Sequence, residues 1–170
     1  DTDNCTLCGK CARVCPTGAV DYLETPTDFV IRAETAVIAT GFNLTPMTAK
    51  AEYGAGTVDN VITSLQMERL LAPHGPYQRV IRPSDGKEPD AIAYVQCAGS
   101  RDQSLGITYC SRVCCMYAIK QAMLLSGALP LADVTIFYMD IRAFGKGYEE
   151  FYQNAKAMGI EFVKAKVAKI

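Results

Sequence analysis

Eight cysteines fall in two tight groups, and that placement constrains this 170-residue chain more than any other feature. Cys5, Cys8, Cys11 and Cys15 lie within eleven residues, Cys97, Cys110, Cys114 and Cys115 within nineteen, and the eighty-one residues between them hold none. A disulfide scaffold needs cysteines spread so that bridges close loops. Pairing here would join near neighbours or form a strained Cys114–Cys115 bridge. Metal ligation by thiolates is the reading that fits, and it points to a reducing cytoplasm.

Composition narrows the partners. A net charge of −1 and a pI near 5.9 give no basic surplus for nucleic acid or an anionic membrane surface. Apolar runs such as Ala36–Ala39 fall far short of the ~18 residues of a bilayer-spanning helix, so no direct membrane span is expected. The chain opens on Asp-Thr-Asp without the pattern of a signal peptide and reads as a fragment.

The expected organisation has three parts. Residues 1–24 read as a ferredoxin-like segment: a cysteine loop closed by Pro16-Thr17-Gly18 and a short strand at 19–23. Residues 25–90 read as part of a flavin-domain sheet with a long connection. Its β-type runs are Phe29–Ile31 and Ala36–Ala39, and its one helix is announced by Thr63 and Gln66 in capping-box spacing. Residues 91–170 alternate as strand Ala91–Cys97, helix Arg112–Ser126, strand Val134–Met139, helix Tyr148–Met158 and strand Ile160–Val167. Such alternation predicts an α/β, Rossmann-like βαβαβ unit with parallel strands.

The first group, Cys5-x2-Cys8-x2-Cys11-x3-Cys15-Pro16, has the spacing of a bacterial ferredoxin [4Fe–4S] motif. Two-residue gaps let three thiolates from one loop reach three corners of a cubane. Gly9 permits close backbone approach, and Pro16 turns the chain away. Structural zinc more commonly draws its ligands as two separated pairs. Cys15 has two possible roles, since in two-cluster ferredoxins the cysteine before proline ligates the other cluster. It either closes a cluster with Cys5, Cys8 and Cys11 or serves one whose remaining ligands lie upstream.

The second group matches no common zinc or ferredoxin spacing. Cys97 ends the first strand of the βαβ unit, Cys110 lies in the following loop, and Cys114 and Cys115 open the next helix. In a dinucleotide-binding fold that loop carries glycines and seats pyrophosphate on the helix N-terminus. Here it reads Cys97-Ala98-Gly99-Ser100-Arg101-Asp102, with thiolates in place of the glycine pattern. A thiolate-ligated cubane is an anion, so the helix dipole, Ser111 as expected N-cap, Arg101 and Arg112 suit it as they would phosphate. A metal cluster is therefore expected at this position.

With these residues in view, the chain resembles the A-subunit family of heterodisulfide reductase, a group that includes related subunits of the quinone-interacting membrane-bound oxidoreductase. The resemblance is carried by the ferredoxin motif, Ala36–Phe42, Val61–Ser64, Arg82–Gly86, Cys97–Asp102, Tyr109–Lys120 and Tyr138–Gly147. It implies a thioredoxin-reductase-like scaffold that relays electrons between FAD and [4Fe–4S] clusters, one of them on Cys97, Cys110, Cys114 and Cys115. It also implies other redox subunits as partners, and attachment to a membrane only through them. Ala39, Thr40 and Gly41 resemble the strand end that approaches FAD. The family's flavin-binding glycines are missing here, so FAD is expected in the full-length protein and not in this segment.

Two other functions compete. A nicotinamide-binding domain would use Asp140, at the end of the second strand, for ribose hydroxyls, but has no glycine loop for the pyrophosphate. A zinc-thiolate interaction module would use the same cysteines and be colourless. His74, the one histidine, sits between Pro73 and Gly75 and reads as a surface residue. No residue pattern marks a catalytic acid, base or nucleophile.

Overall fold

A computed structural model of the chain describes residues 5–170, so residues 1–4 of the expected cysteine loop lie outside the described residues. The chain divides into two compact units, residues 1–41 and residues 42–170.

Among its described residues the first unit holds one short helix, α1 (Lys10–Val14), which starts after Gly9 in left-handed conformation (φ 69°) and buries no side chain. Gly18 N–H donates to the Cys15 carbonyl at 3.4 Å, closing the turn after the cysteines. The strands expected at 19–23, 29–31 and 36–39 are not formed. Val30 is 92% exposed and Ile38 86%. The physical reason is pairing: a β-type sequence without a neighbouring strand has nowhere to place its backbone N–H and C=O groups.

The second unit holds a three-stranded sheet of β1 (Ala91–Val95), β2 (Asp133–Tyr138) and β3 (Glu161–Lys164), parallel throughout in the order β1-β2-β3. Ala91 pairs with Asp133 and Thr135 with Glu161. Helix α3 (Cys114–Ala128) crosses from β1 to β2, and α4 (Tyr148–Ala157) from β2 to β3. The α/β alternation read from the sequence is therefore present, with each element a few residues shorter or shifted. Ile119, Ala122 and Leu125 of α3, Val134 and Ile136 of β2, and Tyr152 and Ala155 of α4 form the core with Met67 and Val80.

Helix α2 (Ser64–Leu71) starts at the expected capping box. Gln66 N–H donates to Thr63 Oγ1 at 3.1 Å, and Thr63 N–H donates to Gln66 Oε1 at 2.7 Å. It rests on α3, where Gln121 Nε2 donates to the Ser64 carbonyl at 3.0 Å and to Glu68 Oε2 at 2.9 Å.

Candidate metal centres

Strand β1 stops short of the expected Cys97 for a local reason. Gln96 N–H still donates to the Phe137 carbonyl at 2.9 Å, but Cys97 takes a left-handed φ of 59° that no ladder accommodates. Gly99 N–H then donates to the Cys97 carbonyl at 3.0 Å, and the chain leaves the sheet. Arg101 (φ 56°) and Arg112 (φ 66°) are left-handed too. Three such residues among sixteen concentrate backbone strain in the loop that carries the thiols.

Arg112 also displaces the expected helix start. Helix α3 begins at Cys114, its N-cap is Val113 without a side-chain cap, and Ser111 is not the N-cap. Instead Ser111 Oγ donates to Cys114 Sγ at 3.3 Å, and Arg112 N–H donates to Cys110 Sγ at 3.3 Å. Cys114 and Cys115 thus occupy the first turn, where unpaired N–H groups and the helix dipole favour anionic sulfur.

Cys97, Cys114 and Cys115 are buried and Cys110 is partly so, all with free thiols. Burial pushes the Cys97 thiol up, helped by Cys114 and Cys110 and opposed by Arg101. Within the adjacent pair, Cys115 and Ser111 draw Cys114 down against burial, while Cys114 and burial push Cys115 up.

The first set is open to solvent: Cys5, Cys8 and Cys11 are exposed and Cys15 partly covered. Leu7 (φ 52°) and Gly9 (φ 69°) turn the backbone between the thiols. The Lys10 amide and the Thr6 hydroxyl draw Cys8 down. The Thr17 hydroxyl and the Ala19 amide, which donates at 3.3 Å, hold Cys15 at about 7. Cys11 Sγ lies 2.5 Å from the Tyr22 hydroxyl.

Among the described residues, no three His, Cys, Asp or Glu side chains are gathered tightly enough to hold a single metal ion. A zinc centre needs four donors converging on one point at about 2.3 Å. A cubane is bound from four separate corners and takes its ligands further apart. Both donor sets are all thiol, with backbone and hydroxyl groups directed at sulfur, the donor chemistry that iron–sulfur clusters take.

Residues 1–21 match the 4Fe-4S binding domain family. The whole chain aligns with the A-subunit of H(2):CoB-CoM heterodisulfide,ferredoxin reductase from Methanothermobacter thermautotrophicus at 45% identity, covering 26% of that protein. It is also 45% identical, over 99% of its length, to the iron-sulfur A-subunit of CoB–CoM heterodisulfide reductase from Methanocaldococcus jannaschii, covering 26% of it. The counterpart from Methanococcus maripaludis is 50% identical over 89% of the chain and covered to 23%. The chain is homologous to a segment of the heterodisulfide reductase A-subunit. It spans about a quarter of the length of these curated relatives.

In this chain the nicotinamide reading loses its acceptor. Asp140 Oδ1 already accepts from Arg101 Nη1 at 2.7 Å and from Arg142 Nε at 3.0 Å, which leaves it poorly placed for ribose hydroxyls. Ala39, Thr40 and Gly41 are exposed at the end of the first unit. His74 is exposed, as read from the sequence. No helix among the described residues is long and apolar enough to cross a membrane.

Sequence reasoning missed the residues that fasten the second cysteine loop from a distance. Lys50 Nζ donates to Asp102 Oδ2 at 2.8 Å, and Thr45 Oγ1 donates to the Gly99 carbonyl at 3.5 Å. Neither has a local signal, because each contact spans more than fifty residues. Beside this loop lies a cavity of about 630 Å³ whose walls include Phe42, Tyr53, Ile62, Cys97, Cys114 and Tyr117.

Proposed function

We propose that this segment carries electrons within a cytoplasmic flavin and iron–sulfur oxidoreductase of the heterodisulfide reductase type. One [4Fe–4S] cluster would sit on Cys5, Cys8 and Cys11 with Cys15 as the fourth thiolate, and another on Cys97, Cys110, Cys114 and Cys115. Such clusters supply one-electron storage and transfer. The chain's own part is to gather thiolates, shield three of them by burial and direct hydrogen-bond donors at sulfur. The observation that carries the reading is the seating of Cys97, Cys114 and Cys115, buried, at a strand end and a helix start.

Residues 91–170 are proposed to be a Rossmann-like, thioredoxin-reductase-like half whose phosphate loop has been given over to sulfur ligands. Residues 25–90 are proposed to belong to the flavin domain of the longer protein, with Ala39, Thr40 and Gly41 approaching FAD there. Docking of the segment to other redox subunits follows from the same reading. The test is anaerobic reconstitution with iron and sulfide. The chain should turn brown, absorb broadly near ~400 nm and bleach with dithionite. A colourless, anaerobically prepared chain with stoichiometric zinc overturns it.

A further inference from the structure

Two guanidinium groups and one carboxylate bracket the second cysteine set. Besides the bonds from Arg101 Nη1 and Arg142 Nε to Asp140 Oδ1, Arg142 Nη2 donates to Asp140 Oδ2 at 3.2 Å. Arg142 alone therefore satisfies the carboxylate through both oxygens. Arg101 is a second cation on the same anion, held there by a left-handed backbone and by its N–H donating to the Tyr109 carbonyl at 3.0 Å.

The same three residues meet the thiols. Cys115 Sγ lies 3.8 Å from the Asp140 carbonyl. Arg101 draws the Cys97 thiol down against the effect of its burial, and Cys110 and Cys115 help Asp140 to hold the Arg142 guanidinium above its ordinary value. A surface ion pair would need one arginine. The cysteine loop and the loop after β2 instead bring two, leaving one unit of positive charge on the group whose Asp140 carbonyl faces Cys115.

We propose that Arg101 and Arg142, joined through Asp140, are positioning residues that set the reduction potential of a cluster held by Cys97, Cys110, Cys114 and Cys115. The inference rests on the cluster assignment above. Reduction by dithionite adds one electron and makes the site one unit more negative, with no protein bond formed or broken and no proton transferred. A nearby cation favours that more negative form. Arg101 and Asp140 side chains are 27% and 43% exposed, so water and salt screen part of the effect.

Arg101→Met should therefore shift the reduction equilibrium about tenfold toward the oxidised form, which is 59 mV to more negative potential for a one-electron couple. Asp140→Asn leaves both cations uncompensated and should shift it the opposite way. Arg101→Lys should restore most of the parent value. The experiment is an EPR-monitored dithionite titration of the full chain carrying Cys5→Ala and Cys8→Ala, which empties the first set. Iron is counted on each sample, and Arg142→Gln is the second route should Arg101→Met fail to take up iron. Opposite shifts at full iron content support the proposal. Full iron content with unmoved midpoints overturns it alone. Failure of the Cys5→Ala/Cys8→Ala parent to hold about four irons overturns the cluster reading and the proposal with it.

Discussion

Lys50 Nζ stands 2.8 Å from Asp102 Oδ2 and, from the kink between two short helical turns over Met47–Tyr53, ties that segment to the loop that carries Cys97 and Cys110. Asp102 is only 7% exposed, and its other oxygen accepts from the Ser104 amide and hydroxyl. Glu52 lies 2.5 Å from the same ammonium. Two loops distant in sequence are thereby held as one support for the cysteines.

The pair makes a pH prediction. Lys50, then Ser104, holds the Asp102 carboxyl well below the usual carboxylate range, while Asp102 and Glu52 hold Lys50 above the usual lysine range. A depressed carboxyl pKa gives stability that is complete above the unfolded value near ~4 and lost as pH falls through the folded one. A raised lysine pKa gives stability that is complete below ~10 and lost as pH rises through the folded value. Asp102→Asn should lower the urea midpoint by a constant amount from pH 5 to 8. The gap should close toward the parent only under stronger acid. A gap that varies between pH 5 and 8 would show that another group dominates.

Gly99 has two reasons to be glycine. Its φ is 102°, and an added Cβ would lie 2.5 Å from Thr45 Oγ1 and 2.6 Å from Thr45 Cγ2. Gly99→Ala should therefore strain the backbone and push the Thr45 segment away from the cysteine loop. The expected cost is roughly 1–3 kcal/mol with weakened iron retention at the second set. Gly9→Ala meets no atom within 4 Å and carries only the penalty of φ 69°. Urea titration and iron counting should rank Gly99→Ala the more damaging to the second unit, and equal losses would contradict the close-approach argument.

The sheet and helices of residues 91–170 were legible because each apolar run is short, bounded and of one period, and Thr63 with Gln66 is a local signal for a local bond pair. The misreadings are equally physical. Phe29–Ile31 and Ala36–Ala39 have strand composition, but a strand needs a partner that the described residues of the first unit do not supply. Ser111 looked like an N-cap, yet the left-handed Arg112 moves the helix start to Cys114 and frees the hydroxyl for sulfur. The cysteines announced themselves by spacing. The Arg101–Asp140–Arg142 group did not, since it forms only when the loops after β1 and β2 meet.

Core placement gives a control independent of metal. Ile136 is fully buried at the centre of β2 and belongs to the cluster with Ile119 and Leu125. Ile136→Ala should cost about 2–5 kcal/mol through lost burial and a residual cavity. Urea unfolding of the apo chain should show the full loss. A cost under ~1 kcal/mol would mean that the sheet packs differently from the structure.

Burial separates the two cysteine sets, and that difference should appear as unequal lability. Cys97, Cys114 and Cys115 are buried on a strand end and a helix start that the core fixes in place. Cys5, Cys8 and Cys11 are exposed, and the short helix that carries Cys11 has no buried residue. Solvent exposure admits oxygen and chelators, and thiolate character with exposure governs oxidation. Brief exposure to air should therefore strip about four irons from the first set and leave about four on the second. Cys114→Ala should remove the air-stable iron, whereas Cys8→Ala should remove only what air already takes. Iron analysis before and after air exposure of the parent and both variants decides it. Loss of the air-stable iron in Cys8→Ala, with Cys114→Ala unchanged, would reverse the assignment of the protected site.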